Sequence, residues 1–168
     1  MSTTLLGIVV PSTDPIFLAV VGVHVLLGLA CVLAGLVAML ANKGRGRHST
    51  FGTLYFWCMA GVFLTMAILA IMRWSEDVVL FGLGVLAFGL VLTGRMAARR
   101  GRFRVHATCM GGSYIVLLTA FYVDNGKNLP VWRDLPAVAY WIVPALVGIP
   151  LILWVLARHP LLRAARQP

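Results

Sequence analysis

The chain is short of negative charge and, over five long stretches, of charge of any sign. Its 168 residues hold only five carboxylates, Asp14, Glu76, Asp77, Asp124 and Asp134, and charged residues make up 11% of the sequence. A soluble globular domain carries about 25%, so the scarcity excludes an ordinary water-soluble fold. No carboxylate falls inside an apolar stretch, which removes the intramembrane acid a proton-coupled carrier needs. Cysteine is scarce as well: Cys31, Cys58 and Cys109 are an odd number with no Cys-x-x-Cys spacing, which offers no disulfide framework, and all three are read as small apolar residues. His-Glu-x-x-His, Gly-x-Ser-x-Gly, a phosphate-binding glycine loop and a dinucleotide fingerprint are all missing, so no hydrolase or nucleotide-dependent enzyme is signalled. The opening MSTTLLGIVVPSTDP has no basic n-region, so cleavage as a signal peptide is not expected. Pro11 and Pro15 separate Leu5 to Val10 from the first helix and place that stretch at the outer interface or against a neighbour.

What is present in quantity is apolar length. Hydrophobic residues make up 61% of the chain, and residues 16–41, 51–72, 78–94, 105–123 and 135–157 contain no Asp, Glu, Lys or Arg. About 17 to 25 apolar residues suffice for a helix to cross a bilayer. The expected fold is therefore all-α: a polytopic membrane protein, one domain over 1–168, built as a bundle of five transmembrane helices. Between the spans, Lys43, Arg45, Arg47, Arg95, Arg99, Arg100, Arg102, Arg104, Arg158, Arg163 and Arg166 fall on one face, and Arg73, Lys127 and Arg133 on the other with all five acids. Short loops rich in Lys and Arg stay in the cytoplasm. The N-terminus is thus expected outside and the C-terminus inside a bacterial inner membrane. The net charge of +9 is a topology signature, not the basic face of a nucleic-acid-binding domain. Arg45, Arg47, Arg99, Arg100 and Arg102 are the candidates for contact with anionic lipid headgroups.

Within the spans, His24, Gly28, Cys31 and Gly35 follow helical spacings of four, three and four, which draws one stripe on the first helix. Small residues let a neighbouring helix approach, so Gly28 and Gly35, with Gly111 and Gly112 in the fourth span, are candidate helix-packing positions. His24, roughly 12 Å into the apolar layer at ~1.5 Å per residue, points into protein. It is either a functional group or a neutral imidazole bonded to a Ser, Thr or carbonyl on the next helix. His48, His106 and His159 fall near the cytoplasmic edge, and Cys109 and Met110 share the face of His106. Imidazole, thiolate and thioether suit haem iron, copper or zinc. The plainer alternative places His48 and His106 in a headgroup-facing belt with the arginines. Pro144, Gly148 and Pro150 are expected to bend the fifth helix.

The run from His24 through Gly28 and Gly35 to KGRGRHSTFGTLYFW, with His106, Met110, Ser113 and Tyr114 in the fourth span, resembles the bacterial predicted-membrane-protein family called domain of unknown function twenty-three-zero-six. The most specific parts are Lys43, Gly44, His48, Gly52 and Tyr55 in the first hairpin and His106, Met110, Ser113 and Tyr114 in the fourth helix. Where many members resemble Trp-Met-x-Arg after the second histidine, this chain has Cys109, Met110, Gly111 and Gly112. The resemblance implies a multi-pass membrane protein and no particular activity.

Two functional readings follow. The first is a non-catalytic accessory or scaffold subunit that packs among other membrane-protein subunits of a bioenergetic, respiratory or photosynthetic complex and needs no cofactor. Its docking surface would be the outer loop with Asp124, Leu129, Pro130, Trp132 and Asp134, Trp132 being the apolar anchor. The second is a small redox protein holding haem b, copper or zinc through His48 and His106, with Cys109, Met110 and His24 as further candidate ligands.

Overall fold

A computed structural model describes residues 3–5, 8–10, 14–43 and 46–158. Five long helices dominate: α1 (Pro15–Leu40), α2 (Arg47–Met72), α3 (Trp74–Arg99), α4 (Phe103–Asn125) and α5 (Val138–Arg158). All five are long and apolar enough to cross a membrane. Before them, β1 (Thr3–Leu5) pairs antiparallel with β2 (Ile8–Val10), Thr3 opposite Val10 and Leu5 opposite Ile8.

The helices start and stop for local reasons. Asp14 caps α1, its carboxylate accepting from the Ile16 amide at 3.0 Å, and Pro15 occupies the first turn, where its missing N–H costs nothing. α3 runs well past the charge-free span 78–94. Glu76 and Asp77 sit in its first turn and Arg99 in its last, the signs the helix dipole favours at each end. A scan for charge-free sequence therefore cuts this helix short at both wet ends. α2 likewise begins at Arg47, four residues before the expected start at 51. α5 begins only at Val138 and carries Pro144 and Pro150 in its interior. Each proline removes one backbone donor, which leaves the carbonyls of Tyr140 and Leu146 without their usual helical partner.

Contacts group the chain into two compact units, Met1–Gly82 and Leu83–Pro168, with the boundary inside α3. In the first unit α1 and α2 form an antiparallel hairpin. The buried positions of α1 include Phe17, Cys31 and Ala38, spaced in sevens or multiples of seven, with Ala34 between them, a coiled-coil-like seam. Phe17 packs with Met66, Leu69 and Ala70, with Leu18, Val20, Val21, Leu80 and Phe81 around them. Further along, Leu27 fills the place a side chain at Gly61 would occupy, 2.8 Å from an added Cβ. The Cys31 thiol donates to the Tyr55 carbonyl at 3.7 Å.

The second unit packs through notches. An added Cβ at Gly111 would lie 2.7 Å from Ile152, and one at Gly148 would collide with Ile115. α4 and α5 thus each present a glycine to the other's isoleucine. Such close approach supplies the dispersion contacts that hold helices together in lipid, where no hydrophobic effect drives them to associate.

Candidate functional site

The three described histidines hold helices together in pairs. The imidazole of His48, at the start of α2, lies 2.8 Å through Nδ1 from the Ala38 carbonyl near the end of α1. His106, at the start of α4, lies 2.9 Å through Nδ1 from the Gly94 carbonyl near the end of α3. A carbonyl only accepts, so both rings donate from Nδ1. In mid-span, His24 Nδ1 is 2.8 Å from Thr65 Oγ1. The Thr65 hydroxyl also faces the Gly61 carbonyl at 2.8 Å and the Val62 carbonyl at 3.0 Å, and when its one proton goes to its own helix its oxygen accepts from His24. This is the hydroxyl-on-the-next-helix arrangement weighed above for a buried imidazole. Thr65 gave no signal in the sequence beyond being a hydroxyl in an apolar run.

The candidate ligands are distributed accordingly. His24 and the His48 partner Ala38 are fourteen residues apart on α1, about 21 Å at 1.5 Å per residue, so His24 does not join His48 in one site. His106, Cys109 and Met110 do come together, and what they meet is α3. An added Cβ at Gly94 would lie 3.0 Å from the Met110 sulfur and 3.2 Å from Cys109 Cβ. The offsets of three and four thus describe a packing face. Among the described residues, no three His, Cys, Asp or Glu side chains group as a metal-holding cluster. His159 lies outside the described residues.

The glycine assignments need one correction. At Gly28 an added Cβ would meet nothing within 4 Å, so it is not a close-approach position. The seam of α1 repeats every seven residues, and Gly28 stands one place beside Leu27, which makes the contact. Gly35 is buried. Gly112 has only an ordinary 3.5 Å neighbour in Leu90. Gly61, Gly94, Gly126 and Gly148 carry tighter contacts that the sequence did not single out. Whether a glycine is a notch depends on the residue opposite it.

The loop between α4 and α5 is built around Trp132. Its ring stacks on Tyr122 with centroids 3.8 Å apart and lies 6.2 Å from Tyr140, whose hydroxyl donates to the Trp132 carbonyl at 3.2 Å. Gly126 admits the Tyr140 ring, 2.8 Å from an added Cβ. Trp132 is therefore a support for the loop and not a protruding anchor. What protrudes is its neighbour: Val131 is 75% exposed and has φ 71° and ψ −47°. The Trp132 amide donates back to the Pro130 carbonyl at 2.9 Å, which closes the rare, strained form of γ-turn. Pro130 and Asp134 are exposed and Leu129 half-buried. Asp124 accepts from Asn125 at 3.2 Å, and Asp134 lies 3.7 Å from the Arg133 guanidinium.

At the α1–α2 connection, Lys43 donates to the carbonyls of Met39 at 2.6 Å and Ala38 at 3.3 Å. With His48 it satisfies the Ala38 and Met39 carbonyls in the last turn of α1, where the Ala41 amide takes Val37. Burial holds the Lys43 ammonium below its ordinary pKa. Arg47, Arg99, Arg100 and Arg102 are exposed, and Arg45 lies outside the described residues. A cavity of about 100 Å³ opens beside the α3–α4 turn, and a second of about 220 Å³ lies along α5 where its prolines interrupt the ladder.

The fold defines a multi-pass α-helical membrane protein in which the three described histidines bond across to neighbouring helices. The chain belongs to the family described as Predicted membrane protein (DUF2306), whose model matches residues 21–153. No curated protein and no solved structure matches it.

Proposed function

We propose that this protein is a non-catalytic accessory or scaffold subunit of a larger assembly in the bacterial inner membrane, bioenergetic, respiratory or photosynthetic in kind. The observation that carries the reading is the tip at Val131, an exposed β-branched residue at positive φ. Such a conformation costs on the order of 1–3 kcal/mol and persists where its surroundings over-determine it, here Pro130 on one side and the stacked Trp132 on the other. A loop rigid before docking loses little entropy on docking. A partner subunit that covers Val131 would gain the burial of an apolar side chain now in water. Leu129, Pro130, Asp124 and Asp134 form the rim. By the distribution of basic residues, eleven against three, this loop lies outside the cytoplasm.

Val131→Gly tests the reading, because glycine accepts positive φ without strain. The isolated variant should melt at the same or a higher temperature than the natural protein. Its complex, extracted in mild detergent and run on a native gel, should be smaller. A complex of unchanged mass would reject docking through this tip.

One observation favours the redox reading as second. His48 and His106 each hold Nδ1 on a backbone carbonyl, the support that orients ligating histidines. A Soret band or bound copper or zinc in the purified protein, lost in His106→Ala, would place this reading first.

A further inference from the structure

The α3–α4 turn is closed by a defined set of backbone bonds. α3 closes with the Arg102 amide bonded to the Ala97 carbonyl at 2.9 Å and the Gly101 amide to that of Ala98 at 3.1 Å. Gly101 has φ 69°. This is the Schellman closure, in which a left-handed glycine ends the helix. Arg102 is at once the residue after that closure and the N-cap of α4, with no side-chain hydrogen bond of its own to the helix. Arg100 and Arg102 are therefore held on either side of one fixed glycine at the wet end of two membrane helices. Both line the 100 Å³ cavity, with Thr93, Met96, Ala97 and Val105.

The composition of that cavity is amphipathic along the membrane normal. Thr93 lies seven residues before Arg100, so the lining reaches about 10 Å from the turn towards the bilayer centre at 1.5 Å per residue. Thr93 has turned its hydroxyl back to the Gly89 carbonyl at 2.8 Å, which leaves its methyl with Met96, Ala97 and Val105 as an apolar wall. Met96 and Val105 are 48% and 43% exposed, so the wall opens to lipid. The cavity is well below the roughly 300–1,000 Å³ of a site that engulfs a whole small molecule. It suits one end of a molecule whose remainder lies in the bilayer. Guanidinium groups match phosphate oxygens in pairs.

We infer that the α3–α4 turn is a binding site for the phosphodiester headgroup of an anionic phospholipid, with Arg100 and Arg102 on the phosphate and the start of an acyl chain against Met96, Ala97 and Val105. The site is independent of the docking role given to the outer loop. Its chemistry is that of any phosphate, and the apolar wall is what selects a lipid over the free ion.

The test is retention of defined lipids by the full-length protein, purified in mild detergent and read by native mass spectrometry. The natural protein should keep phosphatidylglycerol in preference to phosphatidylcholine. Arg100→Gln with Arg102→Gln should weaken phosphatidylglycerol retention by at least about tenfold. Arg99→Gln, one residue away but outside the cavity lining, should change it by less than about twofold. Equal losses from Arg99→Gln and from the pair would reduce the effect to general surface charge and overturn the site. Val105→Trp keeps every charge and fills the cavity, so it should also release the lipid, and it decides the matter if the double variant fails to fold. Inorganic phosphate that displaces phosphatidylglycerol at equal concentration, or lipid retention untouched by Val105→Trp, would overturn the lipid assignment in favour of a free phosphate ion.

Discussion

The α1–α2 and α3–α4 hairpins use the same hydrogen bond in different packings. In each, a histidine near the start of the second helix donates from Nδ1 to a carbonyl near the end of the first: His48 to Ala38, His106 to Gly94. Below that point they diverge. α1–α2 is closed by a seven-residue seam with a part-buried imidazole–hydroxyl pair, His24 and Thr65, in the middle. α3–α4 relies on Gly94 taking Met110 and Cys109, and α4 then meets α5 through Gly111 and Gly148. A chain in lipid gains nothing from hiding apolar surface in apolar surroundings, so each pairing needs either a polar bond or very close contact. The first hairpin has both the closer backbone approach and more of the bonds, while α3 and α4 meet through one bond and the side chains gathered at Gly94.

The largest expected effect concerns the two ends of the hairpins and is all or none. A cysteine replacing exposed Lys127 should react with a membrane-impermeant thiol reagent in intact cells, and one replacing exposed Arg99 only after the membrane is opened. Reversed labelling would invert the orientation and move the Val131 tip to the cytoplasm.

Next comes contact. Gly148→Leu should drive into Ile115 and destabilise the second unit by about 1–3 kcal/mol, seen as a lower thermal midpoint and lower accumulation. Gly28→Leu, with open space around it, should leave both within error. A stable Gly148→Leu would show that α4 and α5 do not depend on the notch.

The bonds predict smaller changes. His106→Ala and His48→Ala should each cost about 1 kcal/mol, with Ala38 still held by Lys43 in the second case, so His106→Ala should be the larger. His24→Ala should cost less than either, because Thr65 keeps its bond to Gly61. Equal losses from all three would mean that the rings act through packing and not through their hydrogen bonds.

Much of the frame was legible before any coordinates, and the reasons are specific. Five charge-free runs located five helices, since no other cheap arrangement hides that much backbone in lipid. The edges were misplaced at Glu76 and Arg99 because charges that suit a helix end look like the end of a helix. His24 was readable as an imidazole bonded across to a hydroxyl, although nothing named Thr65. Gly28 misled because spacings of four and three fit a stripe as well as a seam, and only the position of Leu27 on Gly61 separates them. Trp132 looked like an anchor on residue type alone. The docking proposed for this loop falls to Val131 because Tyr122 and Tyr140, ten and eight residues away in sequence, close on the indole. No sequence pattern marks a valine at positive φ.

What touches Val131 in the living membrane decides most directly whether a subunit docks on this loop. A photo-crosslinking amino acid at position 131, activated in intact cells, should give one discrete protein adduct, and the same probe at exposed Pro130 or Arg133 on the rim should give it more weakly. Adducts to lipid alone, or none beyond those of a probe placed on the lipid-exposed face of α5 at Leu153, would contradict a subunit docked on this loop.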